Sequence, residues 1–402
     1  MADVKNYAVN PTDKLIEQVK VLAESEAYKD SVIRVMPDGH PGKGAVVGST
    51  ITYNDKVVPN TVGVDVACRV TLFKIPSDVN FARLDEALHA KVPVGFSVRN
   101  TEAEASQELD YSKLTFWNAL SDDKQNRIRL SLGSLGGGNH MIAVDEGHDG
   151  QKYLLVHCGS RSLGTEAATW HQSIANSEMA ERRDAAERLD EIKADAIRAT
   201  GKFSELEALY RSRKYRLAKY DNSDLDYLEG NSLADYLQDM LFIEEWSYLN
   251  HMTIYREVAK EMGWSLEPAD MLTCAHNYVD VASGIIRKGA ISARKDELGI
   301  IPLNMRDGTL VVLGKGNPDW NYSLPHGAGR QMSRTEARQS IALEQYEDAM
   351  RDVYSSTVNL GSLDEAPMAY KPAQSIIKAI EPNAVVLDHL REVFNFKDDS
   401  SK

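Results

Sequence analysis

Hydrophobic positions along the chain follow two different periods. Short runs rich in β-branched residues, bounded by Gly, Asp or Asn, are typical of β-strands. Such runs occupy residues 31–36, 45–53, 61–75, 152–158 and 308–314. Within about residues 171–262, apolar residues instead recur every three or four positions among charged ones, and no proline occurs between Pro93 and Pro268. This second pattern predicts long helices.

The two predicted helices differ in character. Residues 174–199 are highly charged, and we expect this helix to face solvent. Residues 233–262 are expected to pack on the core through an apolar set: Leu237, Leu241, Phe242, Trp246 and Leu249. The pattern predicts a mixed α/β (α+β) fold, a single domain over residues 1–402 with a β-sheet core, flanking helices and a helical insertion at about 171–262. The polar tail, 398–402, is expected to be partly disordered.

Composition narrows the class of protein. The 402 residues are 43% hydrophobic and 26% charged, which suits a globular protein with a sizeable core. A formal net charge of -14 argues against binding polyanions through overall charge, although a local basic groove is compatible with it. No run of eighteen apolar residues and no signal-peptide pattern occurs, and the three cysteines form no CxxC pair. We therefore expect a cytoplasmic protein without a membrane partner.

Glycines and histidines are concentrated in a few short segments, several of which follow a predicted strand. These segments are residues 36–44, 63–68, 133–140, 156–164, 274–280 and 325–334. Loops at strand ends present polar groups to ligands, and glycine lets backbone N–H groups approach a phosphate. The segments therefore predict one ligand site built from several loops.

Five residues in these segments are candidate metal ligands. Asp65 and Cys68 lie three residues apart in a glycine-bounded turn, and His140, His157 and His276 lie at strand–loop junctions. One thiolate, one carboxylate and three imidazoles suit zinc, manganese, iron or cobalt. Each residue alone is more typical of a buried structural position, but their joint occurrence beside glycine turns favours a metal site.

Two further cysteines and a histidine need separate interpretations. Cys158 and Cys274 are possible ligands, but as strand residues next to other candidates they are expected to point into the core. His326, in the sequence HGAGR, has the chemistry of a nucleophile towards phosphorus, with Arg330 placed to pair with a phosphate. The alternative for HGAGR is an ordinary glycine-rich turn before a helix.

Basic residues cluster in or near the same segments despite the acidic total. They are Lys43, Arg69, Arg161, Arg287, Lys288, Arg294, Lys295, Arg330 and Arg334. A channel for a polyanion needs such an arrangement, and the alternative is a set of solvated surface charges.

Eight motifs in order resemble the RtcB family of RNA-splicing ligases. They are MPDGHPGKGAVVGS, GVDVAC, GGGNHMI, VHCGSRSLG, CAHNYV, RKGAISAR, HGAGRQMSR and MAYK, and the resemblance runs from about residue 32 to 397. It implies an RtcB-like single domain, and an enzyme that uses GTP and two manganese ions. The implied reaction joins RNA ending in a 2′,3′-cyclic phosphate or 3′-phosphate to RNA with a 5′-hydroxyl, through a histidine–GMP intermediate.

The resemblance also implies a role for each matching residue. His326 matches the guanylylated histidine, oriented by Asp38. The residues matching the ligands of two manganese ions, with Cys68 as the bridge, are Asp65, Cys68, His140, His157 and His276. The residues matching the guanylate-binding positions are Asn139, Asn277, Pro302, Asn304, Met305, Thr309, Gly327, Ala328, Gly329, Tyr370 and Lys397. From the clustering of basic residues rather than from the resemblance, Lys43, Arg161 and Arg330 are the candidates to contact RNA.

The sequence departs from the family pattern in the nucleotide pocket, and this keeps some alternatives open. Ala143 stands where the family carries a guanine-facing Glu, with Asp145 and Glu146 just beyond, and Asn304 replaces a serine. The strictness of guanine selection is therefore open. The alternative functions are a two-metal phosphoesterase or cyclic phosphodiesterase that does not ligate, and a non-catalytic RNA-binding or chaperone-like protein. The physiological RNA (broken tRNA or rRNA), an activating partner and the oligomeric state are also open.

Overall fold

The computed structural model describes residues 2–219 and 223–399. The strands are β1 (Asp3–Asn6), β2 (Val32–His40), β3 (Val47–Thr52), β4 (Lys56–Val57), β5 (Arg69–Ile75), β6 (Met141–Glu146), β7 (Lys152–Cys158), β8 (Leu228–Glu229), β9 (Met271–Ala275), β10 (Asn277–Asp280), β11 (Ile285–Lys288), β12 (Ala290–Ser292), β13 (Leu298–Asn304), β14 (Gly308–Gly314), β15 (Ser323–Pro325) and β16 (Ala384–Phe396). The α-helices are α1 (Asp13–Glu24), α2 (Phe81–Lys91), α3 (Glu104–Gln107), α4 (Asp122–Ser131), α5 (Arg161–Thr200), α6 (Phe203–Lys219), α7 (Gly230–Met262), α8 (Arg334–Ser340), α9 (Leu343–Ala349) and α10 (Ala373–Ile380).

Two large sheets form the centre of the molecule. One has five strands in the order β1-β2-β3-β11-β10, and the other has seven in the order β13-β14-β16-β6-β7-β5-β9. Two-stranded ribbons, β12-β15 and β4-β8, complete the pairing. Strand β1 joins β2 in parallel, whereas the remaining strand pairs within the described ranges are antiparallel. The mixed α/β fold predicted from the sequence is confirmed.

The predicted strands are confirmed with one substantial exception. Strands β7 and β14 cover the predicted ranges 152–158 and 308–314, but β5 begins only at Arg69, so the prediction of a strand over 61–68 is wrong. Gly63 has φ +94° and Ala67 has φ +55°, so the chain turns in the left-handed region here instead of extending. The resulting turn carries two of the candidate metal ligands.

The long helices belong to the body of the molecule. Helix α5 begins at Arg161, ten residues before the predicted start of the helical region, and its first half is buried while its distal half is largely exposed. Helix α7 contacts β5, β7 and β10, with Trp246 fully buried. Phe242 is buried as predicted, and Leu237 and Leu249 pack partly buried against the core. The prediction is wrong for Leu241, which is 58% exposed because it lies about 100° around the helix from Phe242.

Two further expectations concern membranes and the tail. In the part of the chain that the structure describes, no helix has both the length and the apolar composition needed to cross a membrane. Of the polar tail, Asp399 accepts a hydrogen bond from Asn359 Nδ2 at 2.9 Å, while residues 400–402 lie outside the described residues.

Candidate active site

The register of the seven-stranded sheet brings the candidate metal ligands to one end. Strand β5 lies between β7 and β9, and Arg69 at its start pairs with Cys158 and with Ala275. Cys68 therefore precedes β5 at the point where His276 follows β9, and the backbone N–H of His276 donates to the Cys68 carbonyl at 2.9 Å. His157 is the penultimate residue of β7. Neighbouring strands thus supply each of these side chains.

The ligand atoms form two groups that share the thiol. Those of Cys68, His157 and His276 lie within 4.8 Å of one another, and so do those of Asp65, Cys68 and His140. His140 Nε2 lies 2.9 Å from Asp65 Oδ2 and 3.6 Å from Cys68 Sγ. Because Cys68 belongs to both groups, the geometry suits two neighbouring cations bridged by one sulfur.

The three histidines each present a ring nitrogen towards the candidate metal site, and two of them are held neutral by burial. Burial lowers the pKa of His157 and of His276 well below the ordinary value, so both imidazoles are neutral near pH 7. His157 Nε2 and His276 Nδ1 are buried and have no hydrogen-bond partner among the described residues. His140 Nδ1 lies 3.0 Å from the Leu135 carbonyl, which fixes the tautomer and leaves Nε2 for a cation. Orphaned imidazole nitrogens in a buried site are what a metal centre needs.

Burial opposes ionisation of both acidic candidate ligands, Asp65 and Cys68, but their neighbours shift the two pKa values in opposite directions. Burial, with the charge of Asp65, raises the pKa of the Cys68 thiol well above its usual range, so a thiolate here requires a nearby cation. Burial opposes ionisation of Asp65, but the charge of His140 and its hydrogen bond outweigh it and lower the pKa of that carboxyl to about 2. The donor set of carboxylate, thiolate and imidazoles fits a borderline transition metal.

His326 follows β15 and lies beside the metal ligands. Its Nδ1 is 2.7 Å from Oδ2 of Asp38, a residue of β2 that is fully buried. Its ring centroid is 4.9 Å from that of His276. The HGAGR turn approaches β2 so closely that a Cβ on Gly329 (φ +74°) would come within 2.1 Å of the Asp38 carbonyl oxygen. The Asp38 contact leaves Nε2 as the nitrogen of His326 that is free for chemistry.

A cavity of about 920 Å³ opens over His326 and the candidate metal ligands, and we call it the nucleotide cavity after the predicted role of residues that line it. Ten of the eleven residues that match guanylate-binding positions line it: Asn139, Asn277, Pro302, Asn304, Met305, Gly327, Ala328, Gly329, Tyr370 and Lys397. Thr309 does not line the cavity, because it lies fully buried on β14. The side-chain amide of Asn304 is engaged in its own turn, where it binds Asp307 Oδ2 and the backbone N–H groups of Arg306 and Asp307.

A second cavity of about 700 Å³, which we call the arginine cavity, is lined by four arginines, Arg127, Arg161, Arg334 and Arg338, and also by acidic residues, among them Asp364 and Glu365. The three residues predicted to contact RNA divide between the two spaces. Lys43 and Arg330 line the nucleotide cavity and Arg161 the arginine cavity. The guanidinium of Arg330 already donates to two backbone carbonyls, those of Met332 and Asp364, which limits its availability to a phosphate.

Glu365 is a residue of the site that the sequence analysis missed. It is 3% exposed and accepts hydrogen bonds from Tyr370 Oη at 2.5 Å and from Lys397 Nζ at 3.1 Å. Arg330 and Arg334 also pair with it. The available signal was the acidic pair Asp364–Glu365 immediately before the segment APMAYK.

The Ala143 position shows what replaces the expected glutamate. Ala143 is buried on the apolar face of β6, and Asp145, two residues on, is also fully buried. Asp145 pairs in register with Glu392 of β16, which is 2% exposed. Glu146 instead forms ion pairs with Arg391 and Lys152. Two acids therefore face each other inside the sheet.

Comparison with known proteins supplies an independent finding. The family model described as tRNA-splicing ligase RtcB matches residues 18–398. The chain is 29% identical to RNA-splicing ligase RtcB of Escherichia coli strain K12 over 400 residues, covering 90% of this chain and 88% of that protein. It is also 29% identical to RNA-splicing ligase RtcB1 of E. coli strain ATCC 25922 over the same shares. Against tRNA-splicing ligase RtcB of Nanoarchaeum equitans the identity is 24%, covering 93% of this chain and 90% of that one.

Proposed function

Because the chain belongs to the RtcB family of tRNA-splicing ligases, which supports an RNA ligase function, we propose that it joins broken RNA ends with GTP. The proposed substrates are RNA with a 2′,3′-cyclic phosphate or 3′-phosphate and RNA with a 5′-hydroxyl, such as the fragments of a cleaved tRNA or rRNA. We place the activity in the cytoplasm, in keeping with three cysteines that are all free thiols.

One observation supports the nucleotide chemistry most directly: the pairing of His326 with Asp38 at 2.7 Å inside the nucleotide cavity. A carboxylate on Nδ1 holds the proton there and leaves the Nε2 lone pair free. Attack of Nε2 on the α-phosphorus of GTP forms an N–P bond and releases pyrophosphate. Asp38 stabilises the positive charge that develops on the ring during the attack.

Two further displacements complete the proposed reaction. A 2′,3′-cyclic phosphate is first hydrolysed, so that water breaks the P–O2′ bond and leaves a 3′-phosphate and a 2′-hydroxyl. An oxygen of the RNA 3′-phosphate then attacks the phosphorus of the histidine–GMP adduct, and the imidazole of His326 leaves. The product is an RNA–(3′)pp(5′)G end. The 5′-hydroxyl of the second RNA then attacks the 3′-phosphorus, forming the phosphodiester and releasing GMP. The guanylate is held by the ten predicted residues that line the nucleotide cavity, with Lys43 and Arg161 in contact with RNA.

We further propose that the two ligand groups hold two manganese ions, with Cys68 in both coordination spheres. Bound there, the ions would neutralise phosphate charge and polarise the phosphoryl groups. The orphaned nitrogens of His157 and His276 support this assignment. A thiolate–imidazole site also binds zinc more tightly than manganese, so zinc is expected to inhibit joining. Equal joining with zinc alone would contradict a manganese enzyme.

The direct test is joining of two oligoribonucleotides, one ending in 3′-phosphate and one beginning with 5′-hydroxyl, in the presence of manganese and GTP. The wild-type protein should form the joined product, and His326→Ala should reduce joining by at least about a thousandfold because it lacks the nucleophile. Joining that persists in His326→Ala would eliminate the nucleophile assignment. In a parallel reaction with an RNA that ends in a 2′,3′-cyclic phosphate, opening of the cyclic phosphate without any joined product would favour a two-metal phosphodiesterase instead.

A further inference from the structure

One buried carboxylate, that of Glu365, contacts residues that line both cavities. The nucleotide cavity and the arginine cavity share four lining residues: Val64, Asp65, Asn139 and Arg334. Glu365 lines the arginine cavity, whereas two of its hydrogen-bond donors, Tyr370 and Lys397, line the nucleotide cavity. Its ion-pair partner Arg334 lines both cavities. Glu365 therefore contacts side chains that line each of the two cavities.

Glu365 is firmly ionised although it is buried. Burial raises the pKa of a carboxyl group, but the charges of Lys397, Arg334 and Arg330, in that order, outweigh burial and hold the pKa of Glu365 far below its usual range. Three cationic groups and one hydroxyl thus converge on one carboxylate. Without its negative charge the three cations would repel one another without compensation, and Tyr370 and Lys397 would lose the acceptor that orients them.

We infer that Glu365 is a positioning residue for both ligands of the proposed RNA ligase: it fixes Tyr370 and Lys397 towards the guanylate, and Arg334 towards the phosphates of an RNA end. This inference rests on the proposed function. Charge-assisted hydrogen bonds are about twice as strong as neutral ones. A glutamine of the same shape also has only one acceptor oxygen, and its NH2 group would face donors, so it cannot hold both sets of partners. Both subsites lose their order when the charge is removed.

The neighbouring Asp364 provides a matched control. It lies in the same short turn, Leu363–Glu365, and is 4% exposed. Its carboxylate accepts hydrogen bonds from Arg334 and Arg338, each at 2.6 Å. Tyr370 and Lys397 bind Glu365 rather than Asp364. Asp364→Asn therefore leaves the acceptor of Tyr370 and Lys397 in place, whereas Glu365→Gln removes it.

The test measures two affinities separately on the full chain by titration calorimetry. The probes are α,β-methylene-GTP with manganese, which cannot react at the α–β bridge, and an oligoribonucleotide with a 3′-phosphate. Glu365→Gln should weaken the binding of both probes by about ten- to a hundredfold. Asp364→Asn should weaken RNA binding similarly and leave nucleotide binding within about threefold of wild type.

Several results would overturn the inference. Nucleotide affinity in Glu365→Gln within threefold of wild type, or an equal loss of nucleotide affinity in Asp364→Asn, would reduce Glu365 to a packing role. If Glu365→Gln does not fold, Tyr370→Phe takes its place, because it removes one hydrogen-bond donor to the Glu365 carboxylate. Tyr370→Phe should weaken nucleotide binding but not RNA binding. An unchanged nucleotide affinity in this variant would overturn the inference. Wild-type protein that binds neither probe would contradict the proposed function itself, whereas a joining wild type with an unaffected Glu365→Gln contradicts only this inference.

Discussion

Asp145→Asn is expected to stabilise the fold at alkaline pH, because Asp145 and Glu392 oppose each other inside the seven-stranded sheet. Directly opposed like charges destabilise an antiparallel pair, and burial adds a desolvation cost to each charge. Burial raises the pKa of Asp145 to about 7, and burial together with Asp145 raises the pKa of Glu392 well above its usual range. Neutralising Asp145 removes half of this conflict.

The magnitude and its pH dependence follow from the direction of the shift. An acid whose pKa is raised in the folded state costs nothing below its unfolded pKa of about 4, and its penalty grows as pH rises towards the folded value of about 7. A shift of that size corresponds to roughly 4 kcal/mol as a ceiling. Relaxation of the pair lowers this, so we expect the stability of Asp145→Asn relative to wild type to grow by about 1–3 kcal/mol between pH 5 and pH 8.5.

The assay is urea denaturation of both proteins at the two pH values. Glu146→Gln is the matched control, because the Glu146 carboxylate, next to Asp145 in the chain, is partly exposed and paired with Arg391 and Lys152. The change in unfolding free energy of Glu146→Gln should stay within about 1 kcal/mol. A relative stability of Asp145→Asn that stays constant or falls as pH rises would refute the reasoning. Such a result would mean that the two acids are ionised around a bound cation.

Three other substitutions test the site and the core. Asp38→Asn should slow formation of the His326 adduct by about a hundred- to ten-thousandfold through loss of tautomer control, measured in a single-turnover experiment; a rate within threefold of wild type would contradict this. Cys68→Ser should weaken manganese binding at least about tenfold, since the thiol belongs to both ligand groups; calorimetry showing two ions bound with unchanged affinity would exclude the bridge. Asp239→Ala removes the buried partner of His171 at 2.7 Å and should cost about 3–5 kcal/mol of unfolding free energy; a loss below about 1 kcal/mol would show that the pair adds little.

Strands could be predicted from the sequence where an uninterrupted hydrophobic run coincides with an extended stretch of chain. Strands β7 and β14 coincide with their hydrophobic runs, because nothing in those runs interrupts an extended chain. The strand predicted over residues 61–75 was wrong at its start, because Gly63 and Ala67 have positive φ, and a pattern of apolar residues does not reveal backbone angles. The prediction that Leu241 packs on the core was wrong for a similar reason. An apolar residue in a helix need not lie on the buried face, and the sequence does not state which face contacts the core.

The site was predictable where residue chemistry marked it. Cysteine, histidine and aspartate beside glycine turns are uncommon enough that five candidate ligands could be named, and the structure brings them together. Glu365 and the Asp145–Glu392 pair were not named, because acidic residues are abundant in this chain and only tertiary packing distinguishes a buried carboxylate from a solvated one. Thr309 is buried and does not line the nucleotide cavity, and this likewise depends on how β14 and β16 pair.

The central claim is that His326 accepts a nucleotide in this pocket. The most direct measurement is incubation of the protein with manganese and each of four α-labelled NTPs, followed by denaturation and detection of retained label. We expect acid-labile, base-stable label from GTP that disappears in His326→Ala, as for a phosphoramidate. Label from another NTP alone would show a ligase with altered base selection. No label from any NTP in the metal-loaded protein would contradict the account.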